Sequence, residues 1–301
     1  MLDRVHPAPY LPPLVKAVHS VLVTGGTGTF GGAFIPYLLS QPDIARVCVY
    51  SRGEHAQAGL RQALGGDSRL RWFIGDIRDL PRLTRAMRGV DTVVHAAALK
   101  RIETGAYCPD EMVKTNILGT MNVIEAAATT GVARVIGLSS DKAYQPISPY
   151  GQSKALAESL LLSANGMYGA EGPRYAVARY GNIWGAQGSI VPLWRVLQAS
   201  GALRVPVTSL DCTRFYMTVG EAVRLIWDLA VKMQGGELVI PDWLPAYRIG
   251  DLVMAFGLEP QVNGLPAWEK LHESMNETLC SRDAYQLTVK ELREALAHEK
   301  T

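Results

Sequence analysis

The sequence predicts an α/β fold: a doubly wound parallel sheet followed by a smaller, discontinuous C-terminal domain. Three observations carry this. Short apolar, β-branched runs alternate with longer helical patterns over the first 180 residues, which is the rhythm of βαβ units. The runs are nearly continuous in apolar residues, as strands covered on both faces must be. A glycine-rich turn follows the first of them.

In chain order the expected strands are "VLVTG" from Val21, "RVCVY" from Arg46, "LRWFIGD" from Leu70, "TVVHAAA" from Thr92, "RVIGLSS" from Arg134 and "YAVARYGN" from Tyr175. Between the fourth and fifth, "PDEMVKTNILGTMNVIEAAATTG" places Val113, Ile117, Met121 and Ile124 on one stripe and stops at Gly131, as a helix packed on a sheet does. After Arg179 the rhythm breaks. "IVPLWRVLQASG" and "TVGEAVRLIWDLAVKM" read as helices and "GGELVIP" as a strand, among loops rich in Pro, Gly and Trp. The expected organisation is an irregular arm over 1–19, a nucleotide-binding domain over 20–180 and a substrate-binding domain over 181–301, with 213–240 packing back onto the sheet.

The chain has 301 residues, 48% of them hydrophobic and 19% charged, enough apolar material for a large core and no signature of disorder. Its 30 basic and 28 acidic residues leave a formal charge of +2 and are spread along the chain, so nucleic acid and anionic membrane are not expected partners. Cys48, Cys108, Cys212 and Cys280 form no CxxC pair; reduced thiols, a reducing compartment and no metal site are the expectation. No stretch reaches the roughly 18 apolar residues of a membrane span, and the proline-rich start does not read as a signal peptide. A cytoplasmic protein is expected.

"VLVTGGTGTFGGAFIPYLL" begins as a strand and becomes a helix, with Gly25, Gly28 and Gly31 spaced GxxGxxG. Glycines there allow a tight turn and close approach to a pyrophosphate, which the helix N-terminus holds on unpaired N–H groups. That makes the sheet Rossmann-like and Gly25, Thr27, Gly28, Thr29, Phe30 and Gly31 candidate cofactor residues. At the end of the second strand, Ser51 and Arg52 supply a hydroxyl and a guanidinium suited to a 2′-phosphate, favouring NADP over NAD; Glu54 nearby keeps NAD open. Asp76, followed by Ile77, stands where a carboxylate can accept from the adenine amino group. Ala96, Ala97 and Ala98 are small enough for a cofactor to lie flat on them.

Tyr150 and Lys154 are four residues apart in a helix-compatible stretch, so they share a face. A neighbouring ammonium and the charge of an oxidised nicotinamide favour phenolate, fitting the pair to take a hydroxyl proton during hydride loss. Upstream, Asp141 and Lys142 form a second candidate pair, separated from Tyr150 by "AYQPISP".

These motifs together resemble the extended short-chain dehydrogenase/reductases that act on nucleotide sugars, and more narrowly the soluble C-5-inverting UDP-N-acetylglucosamine 4,6-dehydratases. The resemblance runs from "VLVTGGTGTFGG" through "VYSRGE", "WFIGDIRDL", "HAAALKR", "KTNILGT", "LSSDKAYQPISPYGQSK", "RYGNIWGAQGSIVP" and "TRFYMT" to "EKLHE". It implies oxidation at C-4 with Tyr150, proton removal from C-5 by a neutral Lys142, protonation of the leaving C-6 hydroxyl by Asp141, and return of the hydride to C-6. The pKa of Asp141 is then expected to be raised and that of Lys142 lowered. It also implies a Ser140 hydrogen bond to the sugar O-4, substrate contacts from Lys100, Asn116 and Asn182, a pyrophosphate contact from Arg214, and a homo-oligomer. The family's Arg-Pro-Gly run before "EKLHE" is replaced by "NGLPAW", so either Arg204 or Arg214 is expected to compensate for the missing phosphate ligand, or the substrate's nucleotide or binding mode differs from the family's. A nucleotide-sugar 4-epimerase or reductase, needing Tyr150 and Lys154 but not Asp141 and Lys142, and a non-catalytic NADP-binding regulator are the competing readings.

Overall fold

The computed structural model describes residues 17–298; the arm expected over 1–19 lies outside the described residues except for its last three. The elements are β1 (Ser20–Thr24), α1 (Thr29–Ser40), β2 (Arg46–Ser51), α2 (Glu54–Ala63), β3 (Leu70–Ile74), α3 (Leu80–Met87), β4 (Thr92–His95), α4 (Ile102–Tyr107), α5 (Pro109–Met112), a π-helical turn (Val113–Leu118), α6 (Gly119–Thr130), β5 (Arg134–Leu138), a 3-10 turn (Asp141–Ala143), α7 (Pro149–Tyr168) and β6 (Arg174–Ala178). There follow α8 (Ile190–Ala199), β7 (Arg204–Val207), β8 (Thr213–Phe215), α9 (Val219–Lys232), β9 (Leu238–Val239), β10 (Ala246–Arg248), α10 (Ile249–Phe256), β11 (Glu259–Val262) and α11 (Val289–His298).

The central sheet is parallel, in the order β3-β2-β1-β4-β5-β6-β9. Strand alternation divides its side chains between two cores. Val23, Val49 and Val94 face α1 and α9, packing with Phe34, Ile35, Leu38 and Ile226. Leu22, Cys48 and Val93 face α3, α6 and α7, packing with Leu83, Val123, Leu161 and Tyr175. The order reverses between β1 and β4, which opens a crevice beyond their C-terminal ends.

Two expectations about local structure need correction. The stripe Val113–Ile117–Met121–Ile124 is not the buried face: Val113 and Met121 are exposed, while Thr115, Asn116, Thr120, Val123 and Ile124 are buried. The π-helical turn at Val113–Leu118 adds a residue to its turn and rotates the face that meets the sheet. The segment 213–240 also divides. Thr213–Phe215 pairs antiparallel with β10 in a separate small sheet; α9 packs on α1, and β9 extends the main sheet beside β6. A third core, around Val191, Trp194, Val205, Tyr247, Leu252 and Phe256, holds the C-terminal elements together.

The stretch from β5 to α7 is tightly constrained. Ser139 N–H donates to the Ala178 carbonyl and Asp141 N–H to the Tyr180 carbonyl, fixing the 3-10 turn to the end of β6. Ser148 caps α7 by accepting from Gly151 N–H at 3.1 Å, with Pro149 in the first turn, a favourable start for a helix. A Cβ at Gly151 would press into the Lys142 carbonyl oxygen, so only glycine lets α7 approach the turn this closely. Gly151→Ala should therefore lower stability by about 1–3 kcal/mol, the usual range for overpacking. Urea unfolding checks this; unchanged stability would show that the turn yields freely.

Candidate active site

A cavity of about 560 Å³ opens in the crevice. Gly25, Thr27, Gly28, Thr29, Phe30 and Gly31 line one end of it. Gly25 has φ +67°, and a Cβ there would sit 2.9 Å from the backbone of Ala97; the turn thus lies directly against the Ala96–Ala98 strand end, which lines the cavity too. The N-terminus of α1 has no side-chain cap and no acidic residue in its first turn, leaving its N–H groups available to an anion. The hydroxyl oxygens of Thr115 and Ser139 are buried without a partner among the described residues, and both residues line the cavity. Crevice, uncapped helix and unpartnered hydroxyls fit a dinucleotide.

At the β2 end, Ser51 and Arg52 line the cavity with Asp76 and Ile77. The Ser51 hydroxyl accepts from Gln57 Nε2 at 3.0 Å; the Arg52 side chain is 60% exposed, with Nη1 3.9 Å from Asp76 Oδ2, so its guanidinium is accessible. Arg78 grips Asp76 through Nε at 3.0 Å and Nη2 at 2.7 Å on Oδ2 and through its N–H on Oδ1. Partial burial works to raise the Asp76 pKa, but the Arg78 bonds outweigh it and hold it below the ordinary carboxylate range. Asp76 is thus a paired carboxylate, with its oxygens already engaged by Arg78.

The two catalytic candidate pairs converge at the other end. Ser140, Lys142, Tyr150, Lys154 and Asn182 line the cavity, while Asp141 lies fully buried behind them. Lys142 Nζ donates to Asp141 Oδ1 and to Asn182 Oδ1, both at 3.1 Å, and stands 3.5 Å from Glu273 Oε1. Ser140 Oγ donates to Asp141 Oδ1 at 2.8 Å; Asp141 Oδ2 has no hydrogen-bond partner among the described residues.

This arrangement corrects the expected protonation of Lys142. Burial does act to lower its pKa, but the carboxylates of Asp141 and Glu273 outweigh burial and hold it above the ordinary lysine range. The expected coupling of Tyr150 to Lys154 changes as well. Burial pushes the Tyr150 phenol up, and the opposing influences are the Lys142 charge and a Ser140 hydrogen bond. Lys154 Nζ instead donates to the Leu138 carbonyl at 2.6 Å, and burial lowers its pKa to about 8, with Glu158 acting against that shift.

The substrate candidates separate. Lys100 lines the cavity, its pKa lowered by burial and by the charge of Arg101. Asn116 does not line it: its amide donates to the Leu99 carbonyl and Ser153 Oγ, both at 2.9 Å, and its Oδ1 accepts from Leu99 N–H at 2.8 Å. It pins the π-helical turn to α7 and to the loop after β4. Arg204 is displaced from the site, exposed on β7 and paired with Glu259 at 3.0 Å. Arg214 is buried and committed: it pairs with Glu269 at 2.5 Å and donates to the carbonyls of Thr213, Leu271 and Lys270. Neither lines the cavity, so neither replaces the missing phosphate ligand in this arrangement.

Arg101, Tyr180 and Glu273 are not singled out by sequence reasoning. Arg101 and Tyr180 line the cavity. Arg101 carries a signal, a second cation beside Lys100 in "HAAALKR"; Glu273 carries one as the last residue of "EKLHE". Tyr180 has none beyond its place after β6.

Comparison with known proteins places these features in context. The family model described as polysaccharide biosynthesis protein matches residues 21–290. The chain is 40% identical over 258 residues to the inverting UDP-N-acetylglucosamine 4,6-dehydratase of Campylobacter jejuni, covering 85% of this chain and 77% of that protein. It is also 40% identical over 265 residues to the UDP-glucose 4-epimerase of Rickettsia akari, with the same coverages. Among solved structures, Pen from Bacillus thuringiensis matches with a TM-score of 0.88 and 30% identity over 93% of this chain and 98% of that one.

The lowered pKa of Lys154 has a consequence for stability. Below pH about 8 the folded chain carries a buried ammonium at a cost; between about 8 and 10.5 the unfolded chain binds the proton and the folded one does not, so stability rises with pH across that window. Relative to Lys154→Met, the unfolding free energy of the natural chain should rise by about 3 kcal/mol from pH 8 to 10.5. Urea titrations at a series of pH values measure this, and a pH-independent difference would contradict it.

Proposed function

The chain belongs to the polysaccharide biosynthesis protein family, and from that premise we propose that it is a nucleotide-sugar 4,6-dehydratase acting on UDP-N-acetylglucosamine with inversion at C-5. The observation that carries this reading is the Lys142–Asp141 contact of 3.1 Å at the wall of the cavity, where Lys142 stands with Tyr150 and Lys154 and Asp141 is buried directly behind it. Proton removal during oxidation needs only the Tyr150 pair. A buried acid/base pair beside it is what removal of water from the neighbouring carbons requires in addition.

The cofactor in this reading is NADP⁺, which when bound supplies a reversible hydride acceptor. Gly25 to Gly31 and the α1 N-terminus would hold its pyrophosphate and Arg52 with Ser51 its 2′-phosphate; Glu54, the carboxylate that follows β2, does not line the cavity. Tyr150 accepts the C-4 hydroxyl proton, helped by the Lys142 charge and by Ser140, which also bonds O-4. A C-4 ketone acidifies the C-5 hydrogen. Lys142 removes it, and Asp141 protonates the departing C-6 hydroxyl.

The ionised pair and the working pair differ by one proton moved along a 3.1 Å contact. The proton the acid needs is the one the base must lose. Net charge is unchanged by that transfer, and the two groups titrate as a unit. Residues 20–180 supply the cofactor site and the catalytic pairs, and the part of the chain after 181 adds Asn182 to the cavity wall, with Glu273 buried beside Lys142. Lys100 and Arg101, rather than Arg204 or Arg214, are the cations left to meet the substrate phosphates. Exposed Val113, Met121 and Leu156 on neighbouring helices support assembly with a second copy.

A second reading, a nucleotide-sugar 4-epimerase, is favoured by the equal identity to the Rickettsia protein. Incubation with UDP-N-acetylglucosamine and mass spectrometry of the product separates the two: loss of one water is expected, without net consumption of NADP⁺, and a product of unchanged mass would favour the epimerase. Lys142→Ala should abolish the loss of water, by at least about 100-fold as for removal of a general base. Water loss that persists in this variant would remove Lys142 from the mechanism.

A further inference from the structure

The C-terminal segment after β11 delivers a carboxylate to the catalytic lysine. Glu273 is 2% exposed; its Oε1 stands 3.5 Å from Lys142 Nζ and its Oε2 3.4 Å from Lys270 Nζ. Its place is fixed by the backbone: Glu273 N–H donates to Ser281 Oγ at 2.9 Å, and Ser281 N–H returns a bond to the Glu273 carbonyl. Ser281 in turn meets Thr213 Oγ1 at 2.7 Å. Lys270, on the same segment, donates to the Tyr144 carbonyl at 2.6 Å, tying the segment to the loop after the 3-10 turn. Glu273 Oε2 has no hydrogen-bond partner among the described residues; the buried carboxylate is met instead by two ammonium groups, Lys270 on its own segment and Lys142 across the site.

On the dehydratase reading, we propose that Glu273 is a positioning residue for elimination: it is the second counter-charge of Lys142, aiming Nζ toward the cavity and keeping the lysine basic enough to take the C-5 proton. Asp141 alone cannot serve this purpose throughout turnover. When Asp141 holds its proton as the acid, its negative charge is gone, and the base beside it would lose proton affinity just when it must act. Glu273 faces the same Nζ from another element and does not take part in protonating the leaving group. The proton leaves C-5 for Nζ, the C–H electron pair forms the C-5/C-6 double bond, and the C-6 hydroxyl leaves with the Asp141 proton as water. The resulting ammonium then lies between two carboxylates.

The other groups facing Lys142 are the Asn182 amide oxygen, the phenols of Tyr150 and Tyr247 and the guanidinium of Arg214. Arg214 opposes protonation of Lys142 and Asn182 is uncharged. Glu273 is therefore the carboxylate besides Asp141 that sustains its basicity.

The test compares the natural chain with Glu273→Gln and Glu273→Asp, using UDP-N-acetylglucosamine as the probe. Single-turnover absorbance reports C-4 oxidation and mass spectrometry reports water loss; the ε-carbon NMR signal of Lys142, assigned with Lys142→Arg, reports its titration. In Glu273→Gln the Lys142 midpoint should fall by about one unit or more, and the ratio of elimination to oxidation by about tenfold or more. Glu273→Asp should restore part of both. An unmoved Lys142 midpoint, or equal loss of both steps without recovery in Glu273→Asp, would overturn the proposal. Should Glu273→Gln not fold, the shortened carboxylate of Glu273→Asp still has to lower the midpoint measurably. A natural chain that releases no water overturns the dehydratase reading instead, while the titration continues to decide whether Glu273 governs Lys142.

Discussion

Everything in this site depends on placing an ammonium and its carboxylate together out of water while leaving the ammonium in reach of a cavity. Lys142 and Asp141 meet that constraint because they sit on a 3-10 turn held from three sides. The end of β6 fixes the Asp141 N–H, α7 closes on the Lys142 carbonyl at Gly151, and the C-terminal segment brings Glu273. Buried charges survive only where partners surround them, so the same contacts that make the turn rigid make its chemistry available.

The sheet and the tail contribute in different ways. The parallel sheet creates a crevice by reversing its strand order, and its loops bring the glycine turn and the two candidate pairs to one edge. The tail supplies charge. Around the site, Arg214 is neutralised by Glu269, and Arg179 bridges Glu158 of α7 at 2.9 Å to the Met275 carbonyl. The stretch before Glu269 holds no arginine, whereas Lys100 and Arg101, in the loop after β4, stand side by side on the cavity wall.

Much of this is legible in the residues. The six strands, the glycine turn and the four-residue spacing of Tyr150 and Lys154 are local patterns, and local patterns report backbone geometry directly. The stripe through Val113 and Met121 fails because a π-helical turn alters the period on which the reading relies. Arg204 and Arg214 are misplaced for another reason: a sequence shows a cation but not the carboxylate that consumes it, and Glu259 and Glu269 each lie 55 residues away. The charge state of Lys142 is hidden likewise, since it is set in part by a residue more than a hundred positions further on.

The central claim is that both reactive pairs work on one sugar within one cavity. UDP-N-acetylglucosamine carrying deuterium at C-4, incubated with the natural chain in ordinary water, tests it most directly. NMR of the product should find the label in the new C-6 methyl group, carried from one carbon to the other within the site. A product methyl group without deuterium would contradict the account.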